Sequence, residues 1–385
     1  MRRLDLGERP DWREHAERAG FGFHSFDGEP YWDESHAYAF TLDEIEAGIE
    51  VPSAELHALC LAFVDRAVAD ERILASLAIP THAFDAVRES WRRHDPALYG
   101  RLDLAYGAGG PARLLEYNAD TPTALYETGA FQWLWLEDAL GRGRLPEGAD
   151  QFNSVHDRLV ACFRDLGGAV AFTCLDDAPE DRGTVAYLQD CAHQAGLDTR
   201  FVPLETIALL DDGGFADALA VPLGRLFKLY PWEWMFRDAF GARLAGTPTR
   251  FLEPPWKAVL SNKGLLPHLW AMEPGHPNLL PAFFEDDPRK ASLGASFVRK
   301  PILAREGANV LMVRDAAVIA REEGPYGAEG YVRQALAELP AFGDQRVLVG
   351  SWIVGDEPAG IGLRESPDLI TGNRARFVPH VILPE

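Results

Sequence analysis

The chain has 385 residues, 47% hydrophobic and 25% charged, and 37 Lys and Arg against 59 Asp and Glu give it a net charge of −22. Such acidity repels nucleic acid phosphates and anionic membranes and is permissive for a cationic substrate. No apolar run approaches the roughly 18 residues of a membrane helix, the N-terminus MRRLDLGERPDWREH lacks the apolar core of a secretory signal, and Cys60, Cys162, Cys174 and Cys191 show neither C-x-x-C nor metal spacing, as expected of reduced thiols in a cytoplasmic protein.

Residues 1–30 are polar and rich in Gly and Pro, with Phe21, Phe23 and Phe26 placed to tie the segment down. The aromatic stretch 31–38 reads as a short strand or loop. Thr41 followed by Asp43 and Glu44 caps a helix near 41–50, Ser53 caps a second over 53–69, and a third covers 84–93. Two strands follow. Arg101 and Asp103 are two residues apart, and Glu116, Asn118 and Asp120 occupy every second position of LLEYNADTPTALYE (114–127), so each set shares a strand face. The Gly-rich 106–111 turns a hairpin that presents Asp103, Glu116 and Asn118 together. Oxygen donors of this kind suit Mg²⁺, which takes a few carboxylates and shares itself with phosphates; by spacing alone, an exposed polar strand face explains them as well. A Trp-rich helix, 129–140, should then bury itself against the sheet.

The middle third changes rhythm. A strand at 169–173, a helix at 181–195 and a strand at 199–203 form one β-α-β unit, and 224–229 is a further strand. No G-x-G-x-x-G opens the helix, so a dinucleotide fold is poorly supported. The last third has a Pro turn at 253–257, Ser261-Asn262-Lys263-Gly264 before an apolar helix (265–270), and a strand 296–301 that carries Lys300 near its end. A Gly-containing turn, 304–310, leads to a strand at 311–313; a strand over 331–336 carries Gln334, and an apolar hairpin spans 346–363. Lys263 and Lys300 can act as point charges for ATP phosphates, although a lone lysine at an element edge more often reaches solvent. Neither a Walker A motif, a Ser-His-Asp set nor H-E-x-x-H is present. If ATP binds, lysines and a hairpin hold it, as in an ATP-grasp site.

Taken in order, Arg101-x-Asp103, the Glu116-Tyr117-Asn118-Ala119-Asp120 run, Glu253-Pro254-x-Trp256, Asn262-Lys263, Lys300-Pro301-Ile302 with its Arg305/Gly307/Asn309 loop, Tyr331-x-x-Gln334 and Gly362-Leu363-Arg364 resemble the synthetase domain of the glutathionylspermidine synthase family over nearly the whole chain. The resemblance implies an α+β chain with an ATP-grasp fold and a preceding α/β domain: helices and metal-site strands in 1–140, a pre-ATP-grasp-like α/β domain in 141–250, and the nucleotide-binding part with its lid in 251–385. It implies ATP and Mg²⁺ as cofactors, with Asp103, Glu116 and Asn118 as metal ligands and Arg101 stabilising the transferring phosphoryl group. Lys263 and Lys300 would contact ATP phosphates, Arg305, Gly307 and Asn309 would belong to the lid, and Gln334 would face adenine. Thr121, Thr123, Glu233 and Arg364 would meet substrate. No Cys/His amidase half is present. The expected partners are a small carboxylate (a glutathione-like peptide or an amino acid) and an amine, with no nucleic acid and no membrane, and with a homo-oligomer admissible. The expected reaction is ATP-dependent amide formation through an acyl phosphate; an inactive ATP-binding protein acting through partners is the alternative.

Overall fold

The computed structural model describes every residue except Asp27, Ala108 and Glu385. The two strands around the Gly-rich turn form as expected, Tyr99–Ala105 antiparallel to Arg113–Asn118. Their register sets Arg101 opposite Asn118 and Asp103 opposite Glu116. Ala108, within the turn between them, lies outside the described residues. Tyr99–Ala105 is buried along its whole length because a strand from the far end of the chain, Gln345–Val354, covers its other edge. The hairpin of Gln345–Val354 with Glu357–Ser366, and Arg376–Val378 beyond it, complete this sheet.

The middle third folds into four parallel strands in the order Arg250–Leu252, Arg225–Leu229, Ala169–Cys174, Asp198–Phe201, with the helix Pro179–Gln194 as a crossover. A third, antiparallel sheet pairs Phe297–Pro301 with Tyr331–Ala335, so Lys300 and Gln334 lie on neighbouring strands. Large buried aromatics, Trp32, Phe131, Trp135, Phe172, Phe227 and Trp352, pack between the first two sheets.

Several local expectations need correction. The helices expected at 41–50 and 53–69 are one helix, Leu42–Ala69. Thr41 does cap it, with a reciprocal bond pair to Glu44. A π-helical turn over Glu46–Glu50 carries the chain into Pro52, whose missing N–H is tolerated where the backbone has already left i→i−4 pairing. Ser53 is therefore no cap; it is buried and its Oγ lies 2.7 Å from Ser351 Oγ. By length and composition alone this helix could cross a membrane, as core helices of other proteins also could, although charged residues interrupt it. It buries Leu56, Cys60, Phe63 and Val64 in the core against Leu102, Leu104 and Leu114 of the site strands. Finally, the Trp-rich helix buries only one side: Trp135 and Leu136 are inside, while Trp133 and Leu134 are exposed. Phe21 and Phe23 tie the N-terminal segment down as expected, and Phe26 does not.

Candidate active site

The two site strands put Arg101, Asp103, Glu116 and Asn118 on one face because alternate residues of paired strands project the same way. Arg101 donates through Nε and Nη2 to the two oxygens of Asp103, at 2.6 and 3.0 Å, and through Nη1 to the Thr123 carbonyl at 2.6 Å. Its stem lies over Gly350, which pairs directly opposite Asp103; a Cβ there would stand 2.7 Å from Arg101 Cδ. Only glycine lets the guanidinium lie flat across the strand, and Trp352 flanks it. The Asn118 amide nitrogen bridges Asp103 Oδ2 (3.1 Å) and Glu116 Oε1 (3.0 Å).

Lys300 arrives from the third sheet, and Lys263 from the turn that precedes the helix Leu265–Met272. Lys263 Nζ stands 2.9 Å from Glu116 Oε2 and 2.8 Å from the Ala304 carbonyl. Lys300 Nζ donates to Gln334 Oε1 at 2.8 Å and to the Leu115 carbonyl at 3.0 Å, and Gln334 Nε2 donates to the Leu114 carbonyl at 2.9 Å. Gln334 is thus buried and spent on locking Lys300 to the second site strand. Burial pushes Glu116 up, but Lys263 and Lys300 outweigh it and hold its carboxyl well below the usual range. Burial pushes Lys300 down to about 8, with Glu116 opposing. Asp103 is raised, chiefly by burial, against the pull of Arg101.

The loop after Lys300 closes over this cluster. Arg305 donates to Glu233 Oε1 at 3.1 Å and to Thr121 Oγ1 at 2.9 Å. Gly307, at φ +73°, packs against Ile370, where a Cβ would come within 2.6 Å, and the Asn309 carboxamide oxygen accepts from Tyr326 N at 2.8 Å. The cavity left beneath, lined by Glu116, Asn118, Glu233, Lys263 and Arg305, is about 20 Å³. That is room for about one water molecule and far below the few hundred Å³ of a ligand site. Arg364 lies beside Arg101 at a second small cavity and donates to the Gly372 carbonyl at 2.7 Å. The Thr123 side chain is exposed, and only its carbonyl serves Arg101.

Asp120 departs from the alternation read in the sequence. The second site strand ends at Asn118, and Asp120 turns away into the interior, where its carboxylate binds Lys228 Nζ and accepts the Trp232 N–H at 2.8 Å. Both side chains are fully buried. Burial pushes the carboxyl up and the ammonium down, each partly countered by its partner. This pair ties the site strands to the parallel sheet.

Sequence reading also missed Glu180 and Asp181, in the first turn of the crossover helix Pro179–Gln194. Burial, with Glu127 and each other's charge, raises Glu180 to about 7 against Arg364, and burial raises Asp181 to about 6 against Arg305. A helix-start acid pair is common enough that nothing in its spacing flagged it. Asp103 and Glu116 supply oxygen donors of the kind Mg²⁺ takes alongside phosphate oxygens, while Asn118 presents its amide nitrogen to both carboxylates. Among the described residues, no group of three or more His, Cys, Asp or Glu is placed to hold a metal.

Comparison with known proteins identifies the family and the fold. The glutathionylspermidine synthase preATP-grasp family matches residues 3–383. A protein of Haemophilus influenzae, provisionally named an acid–amine ligase, is 40% identical over 98% of both chains. The trypanothione synthetase of Crithidia fasciculata is 28% identical over 84% of this chain, and the bifunctional glutathionylspermidine synthetase/amidase of Escherichia coli 24% identical over 91%. The chain spans 53% and 60% of those two longer proteins. A glutathione synthetase-like effector from Globodera pallida, in its apo form, shares the fold with a TM-score of 0.55 at 11% identity, covering 98% of this chain and 99% of its own. The chain belongs to the glutathionylspermidine synthase preATP-grasp family.

Proposed function

We propose that the chain is an ATP-dependent acid–amine ligase that joins the carboxylate of a peptide or amino acid to an amine through an acyl phosphate. One observation carries the reading: the acidic set Asp103/Glu116/Asn118 and the cations Arg101, Lys263 and Lys300 meet in one closed, polar cleft. A carboxylate is a poor electrophile. When its oxygen attacks the γ-phosphorus of ATP, ADP leaves and an acyl phosphate forms; the amine nitrogen then attacks the acyl carbon, inorganic phosphate leaves, and a proton departs from nitrogen.

Lys263 and Lys300 hold the transferring phosphoryl oxygens, and Arg101 neutralises charge that grows on them, from a frame that Asp103, Gly350 and Trp352 keep rigid. Asp103, Glu116 and Asn118 would hold Mg²⁺, which supplies further charge neutralisation to the phosphates. Arg305 must release Glu233 and Thr121 for nucleotide to enter, and its return excludes the water that would hydrolyse the acyl phosphate. Thr121, Glu233 and Arg364 surround the acyl donor. Glu180 and Asp181 recognise a cationic amine. The four free cysteines support a cytoplasmic setting.

The test is phosphate release with Mg-ATP across a grid of amines and carboxylates (glutathione, short peptides, amino acids), with Lys300→Ala as control. Release that needs both an acid and an amine, and is lost in the control, supports the proposal. Tight Mg-ATP binding without release in any pair favours the inactive alternative.

A further inference from the structure

In the parallel sheet, Lys228 and Trp232 reach the proposed cleft from the carboxyl ends of the strands, through Asp120. The amino ends of the same strands frame a separate open cavity of about 720 Å³. Strands of five residues at about 3.3 Å each separate the two by roughly 16 Å. Residues named for the ligase reaction do not line it.

Two features of this cavity have no account in the fold. The first is electrostatic. Arg225 and Arg250 are register partners on adjacent strands and both line the cavity, so two like charges share one concavity. Among the described residues neither forms an ion pair; their guanidinium groups donate only to the carbonyls of Gly167 (2.7 Å) and Thr247 (3.1 Å). The neighbouring Arg200 is neutralised by Asp217 at 3.0 Å, and Asp198, also on the rim, reaches neither unpaired arginine. A chain with 22 excess negative charges has thus left two unpaired guanidinium groups in one concavity. The second feature is the bare floor. A Cβ on Gly224 or Gly167 would meet nothing within 4 Å, and the accessible wall beside them is apolar, with Val221 and Pro222.

We infer that this cavity binds a small organic anion with an apolar body, its oxyanion clamped between Arg225 and Arg250 and its apolar part against Val221 and Pro222. The volume lies within the range of small-molecule sites. Paired guanidinium forks match the oxygens of a carboxylate, sulfonate or phosphate. The site is independent of the ligase reading and stands if that reading fails.

The experiment titrates the full chain with 8-anilinonaphthalene-1-sulfonate, followed by fluorescence, with and without saturating Mg-ATP. The expected result is one saturable site per chain, unaffected by Mg-ATP. Binding should weaken roughly tenfold or more in Arg225→Gln/Arg250→Gln and disappear in Gly224→Trp, which fills the cavity from a position with free space. Gly224→Ala should bind normally, and the uncharged N-phenyl-1-naphthylamine should bind roughly tenfold more weakly than the sulfonate. The proposal is overturned by absence of saturable binding, by displacement with Mg-ATP, or by unchanged affinity in Gly224→Trp or the double variant. Equal binding of the uncharged analogue overturns it too, as does concentration-dependent dimerisation that Gly224→Trp abolishes, which would make this face an interface between copies.

Discussion

Replacing Asp120 by alanine should unfold the chain far more readily than its surface residues would suggest. The carboxylate and Lys228 are both fully buried, and Lys228 also lies 4.3 Å from the Trp232 ring centroid. Removing the carboxylate strands an ammonium in the interior, a change that costs about 3–5 kcal/mol. It also orphans the Trp232 N–H, worth about 1–3 kcal/mol when buried and unmet. The two overlap, since the same cavity relaxes around both, so a loss of about 4 kcal/mol is expected from a total near 5–15 kcal/mol. Lys228→Met alone leaves a buried carboxylate with one N–H donor and should cost about 3 kcal/mol. The double variant Asp120→Ala/Lys228→Met removes both charges and should recover to within about 2 kcal/mol of the native chain. Urea unfolding followed by tryptophan fluorescence measures all four species. A loss below about 1 kcal/mol in Asp120→Ala, or a double variant as unstable as the sum of the singles, would refute the reasoning that this pair clamps the site strands to the parallel sheet.

Other outcomes follow from the same geometry. Lys300→Ala and Asn118→Ala should each lower kcat by roughly a hundredfold or more while leaving the thermal melt within a few degrees; full activity in both would sink the site assignment. Because burial pushes Lys300 down to about 8, it loses its charge as pH rises through that value, so kcat/KM for ATP should fall above pH about 8 and stay flat in Lys300→Arg. Glu180 and Asp181, raised to about 7 and about 6, gain charge as pH rises, so kcat/KM for the amine should climb between those values, and Glu180→Gln should erase the upper part of the climb. Tyr117, whose Oη lies 3.0 Å from His57 Nδ1 beneath the second site strand, should lose about 1 kcal/mol of stability as Phe, read from a urea midpoint.

The period-two spacing made the core of the site legible: alternation alone put Asp103, Glu116 and Asn118 on one face, and a Gly-rich turn announced the hairpin. Alternation failed at Asp120 because the strand ends two residues earlier, and strand ends are set by pairing partners that a local pattern does not carry. The β-α-β unit was legible from its rhythm, but its partner strand Arg250–Leu252 is only three residues long and left no pattern to read. Lys263 and Lys300 were visible as residues, whereas their convergence on Glu116 and Leu115 depends on how distant elements pack. Gly350 shows the same limit, since its need is created by a side chain some 250 positions earlier. The long helix was split in two because Pro52 and Ser53 look like a helix start, and the π turn that absorbs them has no sequence signature of its own.

Tyr99–Ala105 lies between a strand that follows it closely and one that begins about 240 residues later. On a ribosome adding about 5–20 residues per second, roughly 12–50 s separate the first strand's emergence from the arrival of its second partner. Through that interval one edge of an otherwise apolar strand stands open, a template for pairing with the wrong chain. Arg101 and Asp103 interrupt that edge with charges of opposite sign, and inward-pointing charges of this kind are what natural sheets use against misassembly. The residues proposed to face the phosphoryl group would thus first serve the nascent chain as guards against aggregation.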